Sequence, residues 1–303
     1  MIPKMTRSHR ARKLKTTAGS PEAPNAREPE EPSEHAESAH AGEAGDGGDS
    51  GDGGTNKQDG PPQLRTAYRE HLEAFNADLL EMCDRVRAAM AQASEALLRQ
   101  SLEGAEDTLS QVDALRELKT RCEERGMSLL ALESPVASDL RQVLSSIYIV
   151  ENLSRMSSLA MHVATLTRTR HPDAVVPGPL VGFMEEMARL SDAMVAQTRE
   201  LLLHPDAECA AQLHTIDEDM DDMKAYLLNL VTAPEWEYSN REAVDVAMMV
   251  RYYERFADRC VNVGNRIVFL VTGLQPEQYR EQRDGDYDLK EKFATIERRF
   301  TRR

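Results

Sequence analysis

Ile149-Val-Glu-Asn-Leu-Ser-Arg-Met-Ser-Ser-Leu-Ala-Met-His-Val-Ala164 lies without a gap on Met249-Val-Arg-Tyr-Tyr-Glu-Arg-Phe-Ala-Asp-Arg-Cys-Val-Asn-Val-Gly264, at an offset of one hundred residues. Arg155 falls on Arg255, Val163 on Val263, and Ser154 and Ser158 on Glu254 and Asp258. Solenoid repeats have periods of roughly 20–50 residues. A period of one hundred points instead to duplication of a whole folding unit.

The chain around these stretches is helical in pattern. Leu64, Tyr68, Leu72, Phe75, Leu79, Met82, Val86 and Met90 advance by three or four residues each time, the spacing of one helix face. Strand-length runs of alternating apolar residues are missing from the pattern. Breakers fall at Gly104, Pro135, the Pro172–Pro179 stretch, Pro205 and Pro234. The segments between them predict six long helices, at roughly 64–101, 104–131, 136–170, 180–203, 206–232 and 239–272. Ser134-Pro135 places proline at an early helical position, and Ser239 or Asn240 can cap the last helix. Apolar-faced helices must bury that face against one another. The expected fold is therefore all-α, with two tandem three-helix bundles arising from duplication. The first occupies 64–171 and the second 180–273, and 274–303 reads as a frayed C-terminal tail with a short helix near Leu289–Phe300.

Residues 1–63 have a different composition. Between Leu14 and Leu64 there is no Ile, Val, Leu, Phe, Trp, Tyr or Met, and Pro, Glu, Ser, Gly, Ala and Asp dominate. Such a stretch cannot bury enough apolar surface to offset its ordering entropy, and it reads as a disordered tail. Its opening cluster of Lys4, Arg7, Arg10, Arg12, Lys13 and Lys15 reads as solvated, because no apolar signal-peptide core follows it.

The charge balance excludes several functions. The 303 residues carry Lys+Arg 37 against Asp+Glu 52, a formal net charge of −15. A protein that wraps nucleic acid needs the opposite excess. The longest apolar runs, such as Ile267–Leu270, fall far short of the ~20 residues of a membrane span. Cys83, Cys122, Cys209 and Cys260 are widely separated and have no zinc-site or redox-dithiol spacing. All four read as reduced core thiols of a cytoplasmic protein.

The residues that could carry chemistry lie in the second repeat. Glu254 and Asp258 are i and i+4 on the last helix, and Asp217 and Asp221 have the same spacing on the helix before it. Glu254 stands almost on the apolar stripe of its helix. Clustered carboxylates without a cation repel and resist desolvation. An all-oxygen donor set suits a hard or borderline divalent ion: magnesium, manganese, iron or, less selectively, zinc. A solvated acidic face is the competing reading. His162 aligns with Asn262 and reads as a packing residue. Met156, Met161, Met184, Met187 and Met194 read as core. No Glu-x-x-His occurs in the helical region, and no Walker loop, dinucleotide fingerprint or nucleophile elbow is present.

The chain also carries Leu129-Leu-Ala-Leu-Glu-Ser-Pro-Val-Ala-Ser-Asp-Leu-Arg141, Met161-His-Val-Ala164, Arg170-His-Pro172 and Arg251-Tyr-Tyr-Glu-Arg-Phe-Ala-Asp258. Together these motifs resemble the PhoU family, the accessory and regulatory proteins of phosphate-specific transport. They are most similar to the actinobacterial branch, and the resemblance runs from Leu64 to Gly273. It implies two similar three-helix bundles with metal clusters held by acidic motifs on adjacent helices. Here those motifs fall on Asp217, Asp221, Glu254 and Asp258. In the first bundle Ser154 and Ser158 stand where Glu and Asp are expected, with Gln111, Asp113 and Glu117 on the preceding helix. A lost or weak first site is therefore expected.

The implied role is regulatory rather than enzymatic. It is that of a cytoplasmic negative regulator of the phosphate-starvation response, held at the inner face of the membrane through its partners. Those partners are the ATP-binding subunit of the phosphate ABC transporter and a sensor histidine kinase, with a homodimer as the assembly. The alternatives are a metal-dependent helical-bundle enzyme or metal store, and a purely structural scaffold.

Overall fold

A computed structural model describes residues 62–132, 138–283, 285 and 292–293. Apart from residues 62 and 63, the expected disordered tail lies outside these, as do Ser134-Pro135 and most of the expected helix at 289–300. The described elements are α1 (Pro62–Arg99), α2 (Leu102–Ser110), α3 (Val112–Leu132), α4 (Ser138–Arg170), α5 (Val181–Leu203), α6 (Ala207–Ala211), α7 (Leu213–Val231) and α8 (Asn240–Thr272), with a 3-10 turn at Gly178–Leu180. Among the described residues there is no strand. No helix among them is long and apolar enough to cross a membrane.

The fold is two tandem three-helix bundles. In the first, α1, α3 and α4 pack on one another, and in the second α8 packs on both α5 and α7. The bundles are joined along two seams, α4 on α8 and α1 on α5. The core is continuous across them. Phe75, Leu118, Leu153 and Met156 of the first bundle and Met184, Met187, Met194, Tyr253 and Phe256 of the second are all essentially inaccessible. The methionines expected in the core are buried there. So are Cys83, Cys122 and Cys260, whereas Cys209 is exposed. It sits in the first turn of the short α6, where its backbone N–H donates to the capping carboxylate of Asp206 (2.6 Å) and its side chain faces outward.

Two expected helices are each interrupted once. Residues 104–131 divide at Gln111 and 206–232 at Gln212, one break in each repeat. At Gln111 the backbone N–H reaches back only three residues, to the Thr108 carbonyl (3.2 Å). Beyond Gln212, the Thr215 N–H bonds the Gln212 carbonyl (3.0 Å) in the same tightened pattern. No Gly or Pro marks either break, so composition did not show them. The second break lets α8 approach closely. A Cβ at Gly264 would stand 3.0 Å from the Ala210 carbonyl oxygen and 2.9 Å from Leu213 Cδ1.

The helix starts and stops have local causes. Ser239 and Glu242 form a capping box: the Glu242 N–H donates to Ser239 Oγ (3.2 Å) and the Ser239 N–H to Glu242 Oε2 (2.9 Å). At the far end Gly273 has φ 75, a left-handed conformation open to glycine at little cost. Arg141 Nη1 lies where a side chain at 273 would begin. Beyond it, residues 276–283 of the expected tail are helical, with Tyr279 against the core and Arg280 Nη1 3.3 Å from His214 Nε2.

At the end of α4, Arg170 reaches Asp245 of α8 with two parallel bonds of 2.6 Å each. The carboxylate is 5% exposed and the guanidinium side chain 23%. At the equivalent positions of the other repeat stand Leu270 and Ser145, which are uncharged. Arg170→Ala strands a buried carboxylate and is expected to cost about 3 kcal/mol, read as a lower urea-unfolding midpoint. The R170L/D245S double variant copies the uncharged pair and should regain most of that loss. A double variant no more stable than R170A would refute the idea that the two charges form a closed pair.

Candidate functional site

The acidic pairs converge because α7 and α8 pack side by side. Asp217, Asp221 and Lys224 occupy successive turns of α7, and Arg251, Glu254, Arg255 and Asp258 do the same on α8. Glu254 is 6% exposed, as its place on the apolar stripe predicts. Burial first, and then the charges of Asp258, Asp221 and Glu254, push the Asp217 carboxyl up to about 6. Burial, followed by the charge of Glu254, raises Asp258 as well. The four carboxylates therefore lie within electrostatic reach of one another.

The site already contains a positive charge. Lys224 Nζ lies 2.7 Å from Asp221 Oδ1 and 2.9 Å from Glu254 Oε1, bridging the two acidic motifs. Its ammonium is held above the ordinary lysine range, chiefly by the hydrogen bond to Asp221. Arg251 Nη1 donates to Glu254 Oε2 at 3.0 Å, and Arg255 Nε stands 3.8 Å from the same oxygen. The carboxylates thus suit a cation in chemistry. In arrangement Asp221 and Glu254 are engaged by Lys224 and Glu254 also by Arg251, and among the described residues no three ligating side chains are grouped to hold a metal ion. Reading the acidic spacing alone missed Lys224. Its signal was its position seven residues after Asp217, on the same helix face.

The first bundle has no comparable gathering at the residues named from sequence. The Ser157 and Ser158 hydroxyls donate to the Ser154 backbone carbonyl (2.7 and 3.1 Å), so they serve their own helix. Asp113 pairs in solvent with Arg116, and Glu117 is exposed. What the sequence did not reveal is Asp78 of α1. It is 7% exposed, with Arg121 3.0 Å away and Arg125 close on its other oxygen. His162, expected to serve packing, lies with its ring 5.2 Å from Tyr252.

The architecture is thus that of an all-α protein made of two fused, homologous three-helix bundles, with its acidic gathering in the second. A model described as the PhoU domain matches residues 79–167 and again 184–267. The chain is 40% identical over 213 residues to the phosphate-specific transport system accessory protein PhoU homolog 2 of Mycobacterium tuberculosis, covering 70% of this chain and 100% of the relative. It is 39% identical over 214 residues to PhoU homolog 1 of Mycobacterium leprae, covering 71% and 96%. The chain belongs to the PhoU family. Its fold is similar to that of crystal structures of PhoU proteins from Streptococcus pneumoniae (TM-score 0.63, 23% identity, 69% of this chain and 98% of that one) and Pseudomonas aeruginosa (TM-score 0.63, 21% identity, 68% and 100%).

The bridging role of Lys224 can be measured. Lys224→Met removes two charge-assisted bonds, one to a nearly buried carboxylate, and should destabilise the protein by about 2 kcal/mol. Adding Glu254→Gln should recover part of that loss, seen in thermal melts at neutral pH. Strict additivity of the two substitutions would show that the residues are not coupled.

Proposed function

We propose that this chain is a negative regulator of the phosphate-starvation response. In this reading it acts as an adaptor in the cytoplasm, a homodimer that links the ATP-binding subunit of the phosphate ABC transporter to a sensor histidine kinase. The observation that carries the reading is the match along the whole length of a mycobacterial relative named as an accessory protein of phosphate-specific transport. The surface is consistent with docking. Leu144 and Tyr148 of α4, and Val244 and Met248 of α8, are exposed large apolar residues at equivalent positions of the two repeats. Each pair forms a short apolar stripe at i, i+4 spacing on its helix, a form that partner helices and grooves recognise.

Deleting the gene should switch on phosphate-starvation genes in phosphate-rich medium. Full repression in the deletion strain would overturn the regulatory reading. In the intact chain, L144E and V244E together should abolish co-purification with the transporter subunit while leaving the melting temperature unchanged within about 2 °C.

The proposal extends to the carboxylates. A divalent cation (iron, manganese, magnesium or zinc) bound by Asp217, Asp221, Glu254 and Asp258 would supply the counter-charge that Lys224 provides here, with the lysine displaced to solvent. Metal analysis of the purified chain tests this. K224M should raise the divalent ion retained after dialysis, and D217N/D258N should lower it. Unchanged metal content in both variants leaves the lysine as the site's own counter-ion. A metal-dependent enzyme or metal store has less support, because the helical region holds no Glu-x-x-His and no other catalytic motif.

A further inference from the structure

A polar cleft of about 360 Å³ lies further along α8, beside the carboxylates and toward the seam with α4. Arg259, Asn262, Asn265 and Arg266 line it from α8, Asn152 from α4, and Glu277 from the segment after Gly273. The chain is strongly acidic, and most of its half-buried arginines elsewhere have carboxylate partners, as Arg87 has Asp192, Arg121 has Asp78, Arg170 has Asp245 and Arg199 has Asp84; Arg141 beside Gly273 is an exception. The two arginines of the cleft have no such direct pair. Arg259 makes no hydrogen bond or ion pair with a described residue, although its charge acts on the neighbouring Asp258 carboxylate. Arg266 lies with its guanidinium carbon 4.0 Å from the Tyr148 ring centroid. Stacking of this kind fixes the plane of the guanidinium and leaves its N–H donors free at the edge. The Asn262 amide is also without a partner among the described residues.

The duplication supplies an internal comparison. At the offset of one hundred, Arg259 and Arg266 correspond to Leu159 and Leu166, both packed against the core. Asn152 and Asn262 correspond to Tyr252 and His162, whose rings meet at 5.2 Å. The place at the opposite end of the seam is therefore closed by an aromatic contact and lined by leucine. The cleft is open, cationic and amide-lined in one copy only, so the repeat geometry alone does not account for it.

We propose that this cleft binds a phosphoryl oxyanion, either inorganic phosphate or a phosphomonoester. Two guanidinium forks and an amide donor suit the oxygens of a dianion. The lining also contains acceptors, namely the Glu277 carboxylate and the asparagine carbonyl oxygens. They can take the O–H of monohydrogen phosphate, or of a singly protonated phosphomonoester, a donor that sulfate lacks. This assignment does not rest on the adaptor role and can stand or fall without it.

Equilibrium dialysis of the full-length chain with radiolabelled inorganic phosphate tests it, with sulfate and glycerol phosphate as competitors. Wild type should bind saturably, with one phosphate per chain. R259L and R266L, which install the leucines of the other repeat, should each weaken binding at least tenfold. N262D places a negative charge in the cleft without deleting an arginine and should abolish binding with unchanged circular dichroism, which keeps the test valid even where an arginine variant unfolds. Stronger competition by glycerol phosphate than by phosphate would assign the site to the ester, and weaker competition to the free ion. No saturable binding, equal competition by sulfate, or unaltered affinity in folded variants would each overturn the proposal.

Discussion

Everything else in this molecule depends on the seam where α4 lies against α8. These are the two helices that the duplication makes equivalent, and each is also the last helix of its own bundle. Their apolar faces serve two contacts at once, inward to their own bundle and across to the other copy. Polar links across the bundle boundary sit on this framework. Tyr253 is completely buried and donates from its hydroxyl to Ser94 Oγ of α1 at 2.8 Å, and Ser94 passes a bond on to the Met90 carbonyl. Arg170 and Asp245 close one end of the seam. A buried hydroxyl or carboxylate costs free energy unless it is partnered, so each link tolerates little displacement of one bundle against the other.

The same seam explains the uneven distribution of charge. Duplication produced two copies of one helix face, and the copies have since diverged. The α4 copy is neutral where the α8 copy is charged: Ser154 and Ser158 against Glu254 and Asp258, Leu159 and Leu166 against Arg259 and Arg266. On one side of α8 the acidic groups meet α7, where Lys224 neutralises two of them. Further along the same helix, basic groups and amides line an open cleft toward α4. α8 is anchored at both ends, by the Ser239–Glu242 box and the left-handed Gly273.

Much of the fold was legible because helical periodicity is a local signal. The long segments α1, α4, α5 and α8 fall within a few residues of their expected bounds, since the apolar spacing and the caps are both written in the sequence. The divisions at Gln111 and Gln212 were not legible. Glutamine is a good helix former, and the short pieces before the breaks are placed by tertiary packing, α2 against α4 and α6 against α8. Cys209 was misplaced for a related reason: in a helix as short as α6, an apolar neighbourhood in sequence does not say which side faces water. The spacing of the four carboxylates was legible in the sequence, and that α7 and α8 bring the two pairs near one another follows from helix order. Lys224 was not found, because a lysine among acidic residues on a helix ordinarily reads as a solvated i,i+3 pair.

The sequence by itself determined the all-α class, the duplication, the helix faces and the two acidic motifs, because all of these are periodicities within single segments or identities between them. Only the tertiary structure decided which charges meet. Whether Glu254 faces a metal, a lysine or water depends on the rotation of α7 against α8, and whether Arg259 and Arg266 find a carboxylate depends on what α4 places opposite them. Side-chain partners thirty or more residues apart are set by how helices dock, and docking is governed by packing of the whole core rather than by any local pattern.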